Sequence, residues 1–371
     1  LVNRLVFENL KHRPVRTLLS AVAIGVGITL ILSLVNVSAG MLGDVEDRSR
    51  GTGADIMIRP SDSSLISTSI GTMLEKIVEP VRAQPHVTLA TPSLVEQVGP
   101  LDSVAGINLD EFNRLSGGFH YLEGGPFKKP DGAIPSDGVY DLVLDEVEAK
   151  GQHAHPGQII TQGRKWHVTG IVESGKMSRM FTDLATLQDI YGAPGKISVI
   201  WVKVDDPANI DSVEDSLKKL LPDYHIYSMD ELTSLLTADN IPILKRFTYV
   251  VIGIAGVIGF LFVFLSMYTA VLERTREIGI LKALGASPGY ILDMLLRETV
   301  LLAIGGAIAG ILMSYGSKAL MDRFVPNMPM VIVKSWWKWA FLIALAGSLI
   351  GALGPGLKAA RQDAIEALSY D

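Results

Sequence analysis

The residues of this 371-residue chain that could do chemistry fall in four short segments. Gly170-Ile171-Val172-Glu173-Ser174-Gly175-Lys176-Met177 has the spacing of a phosphate-binding loop, in which backbone amides cradle phosphate and the lysine reaches its oxygens. The residue after that lysine should be Ser or Thr to reach Mg²⁺; here it is Met177, and a surface turn after a strand is the better reading. Leu115-Ser116-Gly117-Gly118 copies the opening of the signature of ATP-hydrolysing cassettes, but Phe119 follows where Gln is usual and no proper phosphate loop precedes it. His153-Ala154-His155 offers two metal ligands, which is too few in a chain without cysteine. The fourth segment, 273–287, reads as a short helix. Glu273 and Arg276 are three apart and can pair, Ile278, Leu281 and Leu284 repeat every three residues as an apolar stripe, Gly285 can end the helix and Pro288 blocks its simple continuation. A helix of this kind beside a membrane rests on lipid or docks in a partner's groove.

The segment gains meaning from what precedes it. The whole stretch 247–272 lacks Asp, Glu, Lys and Arg. A hydrocarbon core about 30 Å thick needs ~20 helical residues, and a run of about 26 reaches roughly 39 Å, so the helix crosses and still protrudes into water. Residues 17–43, 299–317 and 339–357 are likewise free of these residues and long enough to span. The first is too long for the ~7–15-residue apolar region of an export signal and reads as an uncleaved helix. Within these four windows there is no Asp, Glu, Lys or Arg to form a proton relay, an ion path or a voltage sensor, so the energy for any transport must come from elsewhere. Small residues four apart, such as Ala21 and Gly25, Ala255 and Gly259, Gly306 and Gly310, Gly347 and Gly351, suit close helix packing.

Charge sets the topology. Arg4, Lys11, Arg13, Arg16, Arg274, Arg276, Lys282, Arg297, Lys358 and Arg361 flank one side of the four spans, against Lys318, Arg323, Lys334 and Lys338 on the other. Because short cytoplasmic loops collect Lys and Arg, both termini and the 273–298 loop are expected inside, and residues 44–245 outside. That long loop holds 30 acidic and 18 basic residues, whereas the rest of the chain holds 9 and 15, so the overall net charge of −6 hides an acidic domain and a basic membrane part. No basic stripe or reader motif suggests nucleic acid as a partner. Residues 1–16 read as an amphipathic helix along the inner membrane surface, with Pro14 breaking it before the first span. In the long loop, 54–59, 86–98, 158–161, 165–172 and 196–204 read as strands, 69–84, 210–221 and 229–236 as helices, and 141–150 as a strand feeding a helix. The expected fold is therefore a membrane α-helical protein with four transmembrane helices and an α+β extracytoplasmic domain inserted between helices 1 and 2. The Gly/Pro-rich stretch 117–135 is a possible seam within that domain.

The 273–286 stretch Glu-Arg-Thr-Arg-Glu-Ile-Gly-Ile-Leu-Lys-Ala-Leu-Gly-Ala strongly resembles the segment after the second span of the MacB/FtsX/LolC permeases, the mechanotransmission class of ABC transporters. Glu8-Asn9-Leu10 with Arg16-Thr17-Leu18-Leu19 resembles their entry into the first span, 157–172 a stretch of their outer domain, and 355–368 their last helix and tail. The resemblance implies an ABC permease of the bacterial inner membrane whose segment 273–287 is the helix that couples it to a cytoplasmic ATPase dimer. Glu273, Arg274, Arg276, Glu277 and Lys282 would be its polar contacts, and Ile278, Leu281 and Leu284 its apolar anchors. With only the short segment 1–16 ahead of the first span, the ATPase is expected as a separate chain that binds the ATP and Mg²⁺, leaving this chain without a catalytic, metal or cofactor site of its own. The other partners implied are a second permease copy or a paralogue, membrane lipid, and a periplasmic adaptor or substrate protein. Export or extraction of a substrate is the leading expectation. The alternative is an FtsX-like regulator that drives an outer cell-wall hydrolase and transports nothing; its outer domain is usually smaller than the 44–245 loop found here.

Overall fold

A computed structural model describes residues 14–63, 71–99, 102–128, 138–235 and 242–361. Most of the amphipathic segment expected at 1–16, and the tail after Arg361, lie outside the described residues. The chain forms two compact units: a membrane unit of Leu1–Gly40, Ile241–Phe324 and Met328–Asp371, and an inserted unit of Met41–Asn240 with Val325–Asn327.

Helix α1, Pro14–Arg50, is uninterrupted for 37 residues and outruns the expected first span, 17–43, at its C-terminal end. Pro14 stands in its first described turn, where a missing N–H costs nothing. In the inserted unit the elements follow as β1 (Ile56–Pro60), β2 (Met73–Leu74), α2 (Val78–Arg82), β3 (Val87–Gln97), β4 (Ser103–Ile107), α3 (Leu109–Ser116), β5 (Tyr121–Gly124), β6 (Tyr140–Asp145), α4 (Glu146–Gln152), β7 (Ile159–Gln162), β8 (Arg164–Val172), β9 (Met180–Asp183), α5 (Leu184–Ile190), β10 (Lys196–Ile197), β11 (Val199–Val204), α6 (Ile210–Leu220), β12 (Tyr224–Ser228) and α7 (Met229–Leu235). The helix expected over 69–84 is instead strand β2, a 3₁₀ turn at Glu75–Ile77 and the five-residue α2. Pro80 explains the difference. Inside a long helix its ring would clash with the carbonyl four residues back, whereas in the first turn of α2 it does not.

Ten strands form one mixed sheet in the order β12-β1-β11-β3-β4-β9-β6-β8-β5, with β7 also on β8; β4–β9 and β6–β8 are parallel pairs and the other pairs antiparallel. Because successive strand residues point to opposite faces, neighbours enter different cores. Ile56, Ile58, Leu142, Leu144, Ile200 and Val202 pack in one cluster, with Val81, Leu187 and Leu217 from α2, α5 and α6 covering it. Met57, Trp201 and Leu115 form a second cluster, and Ile107, Phe112, Val143 and Phe181 a third. A sheet covered on both faces has runs of consecutive apolar residues in its strands, as residues 142–144 of β6 and 199–202 of β11 are. The end of α1 is built into the same unit. Met177 N–H donates to the Arg48 carbonyl (2.9 Å), Arg50 Nη2 donates to Thr233 Oγ1 (2.9 Å), and Val45 packs on the second cluster.

The membrane unit continues with α8 (Pro242–Glu273), α9 (Thr275–Ala283), α10 (Pro288–Phe324) and α11 (Trp336–Arg361). Helices α1, α8, α10 and α11 are long and apolar enough to cross a membrane. Backbones approach closely where small residues meet. A Cβ on Gly310 would lie 2.7 Å from the Gly25 carbonyl oxygen and from Ile28 Cβ, and one on Gly351 would lie 2.9 Å from the Phe260 carbonyl oxygen. Hydroxyls add bonds at the same crossings: Thr29 Oγ1 donates to the Gly310 carbonyl (3.2 Å), and Ser20 meets Ser266 at 2.6 Å. Buried Asn36 in α1 accepts Val333 N–H on its side-chain oxygen (2.9 Å) and Val331 N–H on its backbone oxygen (3.1 Å).

Each unit offers a stability test. Gly310→Leu forces α1 and α10 apart at a cost of about 1–3 kcal/mol or more, and is expected to lower the thermal unfolding midpoint of the detergent-purified protein. Asp145, buried at the N-cap of α4, has its pKa pushed up to about 7 by burial, against an ordinary 3.8. Its contribution to stability is therefore intact below pH 3.8 and is lost as the pH rises through about 7. Asp145→Asn keeps the cap and carries no charge, so its unfolding midpoint should fall less than the wild type's between pH 5 and pH 8.

Candidate functional site

The second spanning helix stops because Arg274 leaves helical geometry, with φ −112° and ψ 14°. At the break Thr275 Oγ1 donates to the carbonyls of Val271 (3.1 Å), which also accepts the Arg274 N–H (3.2 Å), and Leu272 (2.9 Å). The Arg274 side chain turns inward, and its Nη1 donates to Glu298 Oε2 on α10 at 3.2 Å; the two side chains are 7% and 1% exposed. Glu298 lies one residue before the charge-free window expected for the third span, but α10 begins well upstream of that window, at Pro288, and carries Glu298 into the packed interior. Either charge alone would be costly there, and the pair lets both be buried.

Helix α9 starts from this fixed point. Ile278, 3% exposed, packs with Val271, Ile291, Leu295 and Ala359, so that α9 rests on α8, α10 and α11 together. Lys282 Nζ donates to the Ala360 carbonyl near the end of α11 (2.7 Å), adding cationic charge where a helix leaves its carbonyls unpaired. At the end of α9, Ala286 N–H bonds the Leu281 carbonyl and Gly285 N–H bonds the Lys282 carbonyl, both at 2.9 Å. This paired closure needs a left-handed residue, and Gly285 supplies φ +94°. Ser287 then caps α10, accepting Tyr290 N–H at 3.2 Å, and Pro288 becomes the first residue of α10.

The residues expected to dock a partner therefore divide. Arg274, Ile278 and Lys282 are turned into the membrane unit by an ion pair, an apolar cluster and a carbonyl bond, which corrects their expected place on the docking face. Leu281 is half-buried. Glu273, Arg276 and Glu277 are exposed, Leu284 is 80% exposed and Ile280, not among the expected anchors, is 45% exposed. The reason is angular. At about 100° per residue, positions three apart drift by roughly 60° each step, so Ile278 and Leu284 lie about 120° apart, whereas 277, 280 and 284 return to one face. Ile291, Leu295, Glu298 and Leu302 show the same spacing, the sequence signal that Glu298 belongs to a buried face.

The two nucleotide-site lookalikes meet each other. Lys176 Nζ donates to the carbonyls of Ser116 (2.7 Å) and Gly118 at the C-terminal end of α3, and lies 5.9 Å above the Phe119 ring. A lysine held this way closes a helix end rather than reaching for phosphate. His153 ends α4 with its Nδ1 on the Lys150 carbonyl, while His155 lies 3.9 Å from Glu123, so the two imidazoles serve different partners.

Residues 17–220 match the model of the MacB-like periplasmic core domain, and residues 249–364 match that of the FtsX-like permease C-terminal domain. The chain belongs to the MacB/FtsX family of ABC transporter permeases. Among its relatives, the macrolide export ATP-binding/permease protein MacB of Hahella chejuensis is 29% identical over 97% of this chain and 58% of its own length. The protein of the same name from Salmonella typhimurium is 28% identical over 96% and 58%. The crystal structure of the periplasmic region of MacB from Actinobacillus actinomycetemcomitans is a distant likeness, 19% identical with a TM-score of 0.36 over 50% of this chain and 94% of that one. The chain thus spans little more than half the length of these curated relatives.

The ion pair gives a measurable outcome. Removing one partner, in Arg274→Met or Glu298→Leu, should cost about 3–5 kcal/mol by leaving the other charge buried and unpaired. The double variant, which replaces the pair by apolar side chains, should recover most of the unfolding midpoint.

Proposed function

We propose that this chain is the membrane-embedded part of an ABC exporter, moved by ATP hydrolysis at an ATPase dimer. The observation that carries this reading is the ridge of α9: Glu277, Ile280 and Leu284 face outward together, with exposed Glu273 just before them, from a helix whose other side is fixed to α8, α10 and α11. Two apolar side chains flanked by charge on a rigid short helix suit a groove with a polar rim, the pattern of a helix docked on a partner.

In this reading the termini and α9 lie in the cytoplasm of a bacterial cell and the inserted unit lies outside the inner membrane, as the Lys/Arg distribution favours. Closure of the ATPase subunits on ATP and Mg²⁺, both bound by the ATPase, shifts α9. Because α9 is held to α8, α10 and α11, they shift with it. The ATPase acts only through the difference in affinity it has for the two positions of α9. A second permease copy or a paralogue completes the pair that a dimeric ATPase requires, and a periplasmic adaptor or substrate protein would receive what is moved. Relatives that match 96–97% of the chain are named for macrolide export, which supports export over regulation of a cell-wall hydrolase.

Leu284→Asp and Ile280→Asp are expected to weaken association with the ATPase by about tenfold or more, equal to about 1.4 kcal/mol, with no change in the unfolding midpoint. Ile278→Asp should instead destabilise the protein itself. Co-purification of the ATPase with each variant measures this, and undiminished association in both exposed-face variants would sink the assignment.

A further inference from the structure

Val325–Asn327, which join α10 to α11, belong to the inserted unit. Their attachment is polar and mostly buried. Arg179, just before β9, uses both ends of its guanidinium: Nη1 donates to the Asn327 carbonyl at 3.0 Å, and Nη2 donates to Asp44 Oδ2 in α1 at 3.0 Å. Asn327 Nδ2 in turn donates to Glu148 Oε2 on α4 at 2.8 Å, and the other oxygen of this buried carboxylate accepts from Gln152. Gly151, on the same helix, leaves the space that Asn327 fills, for a Cβ there would stand 2.6 Å from Asn327 Oδ1.

We propose that Arg179, Glu148 and Gly151 form a clasp that holds the α10–α11 turn on the inserted domain, with Arg179 as the positioning residue. A planar guanidinium can satisfy two acceptors at a fixed angle, which a point-like ammonium cannot do equally well. Here the two acceptors come from opposite ends of the chain: Asp44 stands 135 positions before Arg179, and Asn327 stands 148 positions after it. The chain therefore enters the inserted unit along α1 and again at this turn, and whatever moves the C-terminal end of α10 draws on the domain through Asn327. This role rests on the exporter reading only for what drives the motion; the clasp itself stands on the geometry.

The chain has no cysteine of its own, which suits it to the test. Gly151→Cys with Asn327→Cys should form an intrachain disulfide on mild oxidation in native membranes. In hydrogen exchange, Arg179→Met and Asn327→Ala should each speed amide exchange over 322–333 by about tenfold or more, while β6 stays protected. Arg179→Lys should fall between them and the wild type. Should Arg179→Met fold poorly, Asn327→Ala loosens the same turn while keeping the bond of Asp44 to Arg179. No disulfide, or unchanged exchange over 322–333 in Asn327→Ala, overturns the clasp. With the ATPase present, an ATP-dependent exchange change in the inserted domain should be lost in Arg179→Met and restored by adding the oxidised cysteine pair. A structural defect elsewhere would not be repaired in that way, and failure of the disulfide to restore the response overturns the positioning role. A wild type without any ATP response overturns the exporter reading instead, while the disulfide and exchange results still decide the clasp.

Discussion

Everything in the membrane unit that could contact a partner through α9 depends on one buried ion pair, Arg274 with Glu298. It decides where α8 ends, because Arg274 must leave helical geometry to reach inward, and it fixes the first residue of α9 against α10. Ile278 and Lys282 then hold the rest of the short helix. The exposed ridge exists because the opposite side is used up in these contacts. A charge pair in this place does what an apolar contact would not, since a one-turn slip of either helix would leave two unpaired charges in a dry interior.

The two units are stabilised by different physics. In the membrane unit, lipid offers no hydrophobic drive for helices to meet, so close backbone approach at Gly25, Gly306, Gly310 and Gly351 and hydroxyl bonds at Thr29 and Ser20 carry the packing. In the inserted unit the hydrophobic effect operates in full, and alternate residues of β1, β6 and β11 feed cores on both faces of one sheet. The small-residue spacing on the helices and the dense apolar strands are two solutions to one problem, the satisfaction of backbone hydrogen bonds out of water.

Much of this is legible in the residues. The spans follow from runs without charge, and β3, β8, β11 and α6 follow from periodicity to within a residue or two at most ends. The rest is hidden for physical reasons. Pro80 turns an apolar 3–4 rhythm into a strand and a short helix, because a backbone constraint overrides side-chain pattern. Strands β4, β5, β9 and β12 are short, and their identity comes from ladder partners far away in the chain. In segment 273–287, a stripe counted in threes selects Ile278, where a count in threes and fours selects Ile280. Glu298 stays hidden because a window defined by absence of charge ends at the residue that matters most. The Arg179–Asn327 contact joins residues 148 apart through a main-chain carbonyl, and no sequence pattern announces such a bond.

Helix α1 carries a further constraint of its own. It runs without interruption from Pro14 to Arg50, roughly 55 Å at 1.5 Å per residue, and its last turns are bonded into the inserted domain. An unbroken helix is stiff in torsion as well as in length. Adding or deleting one residue between Asp44 and Arg48 would rotate Arg48 and Arg50 by about 100° relative to Asp44, so that the bonds of Asp44 to Arg179, of Met177 to the Arg48 carbonyl and of Arg50 to Thr233 could not all form. Point changes on the exposed side of that rod cost little by comparison. The number of residues in these last turns is thus constrained more tightly than the identity of those that make no bond, and the phase of the helix governs which bonds can coexist.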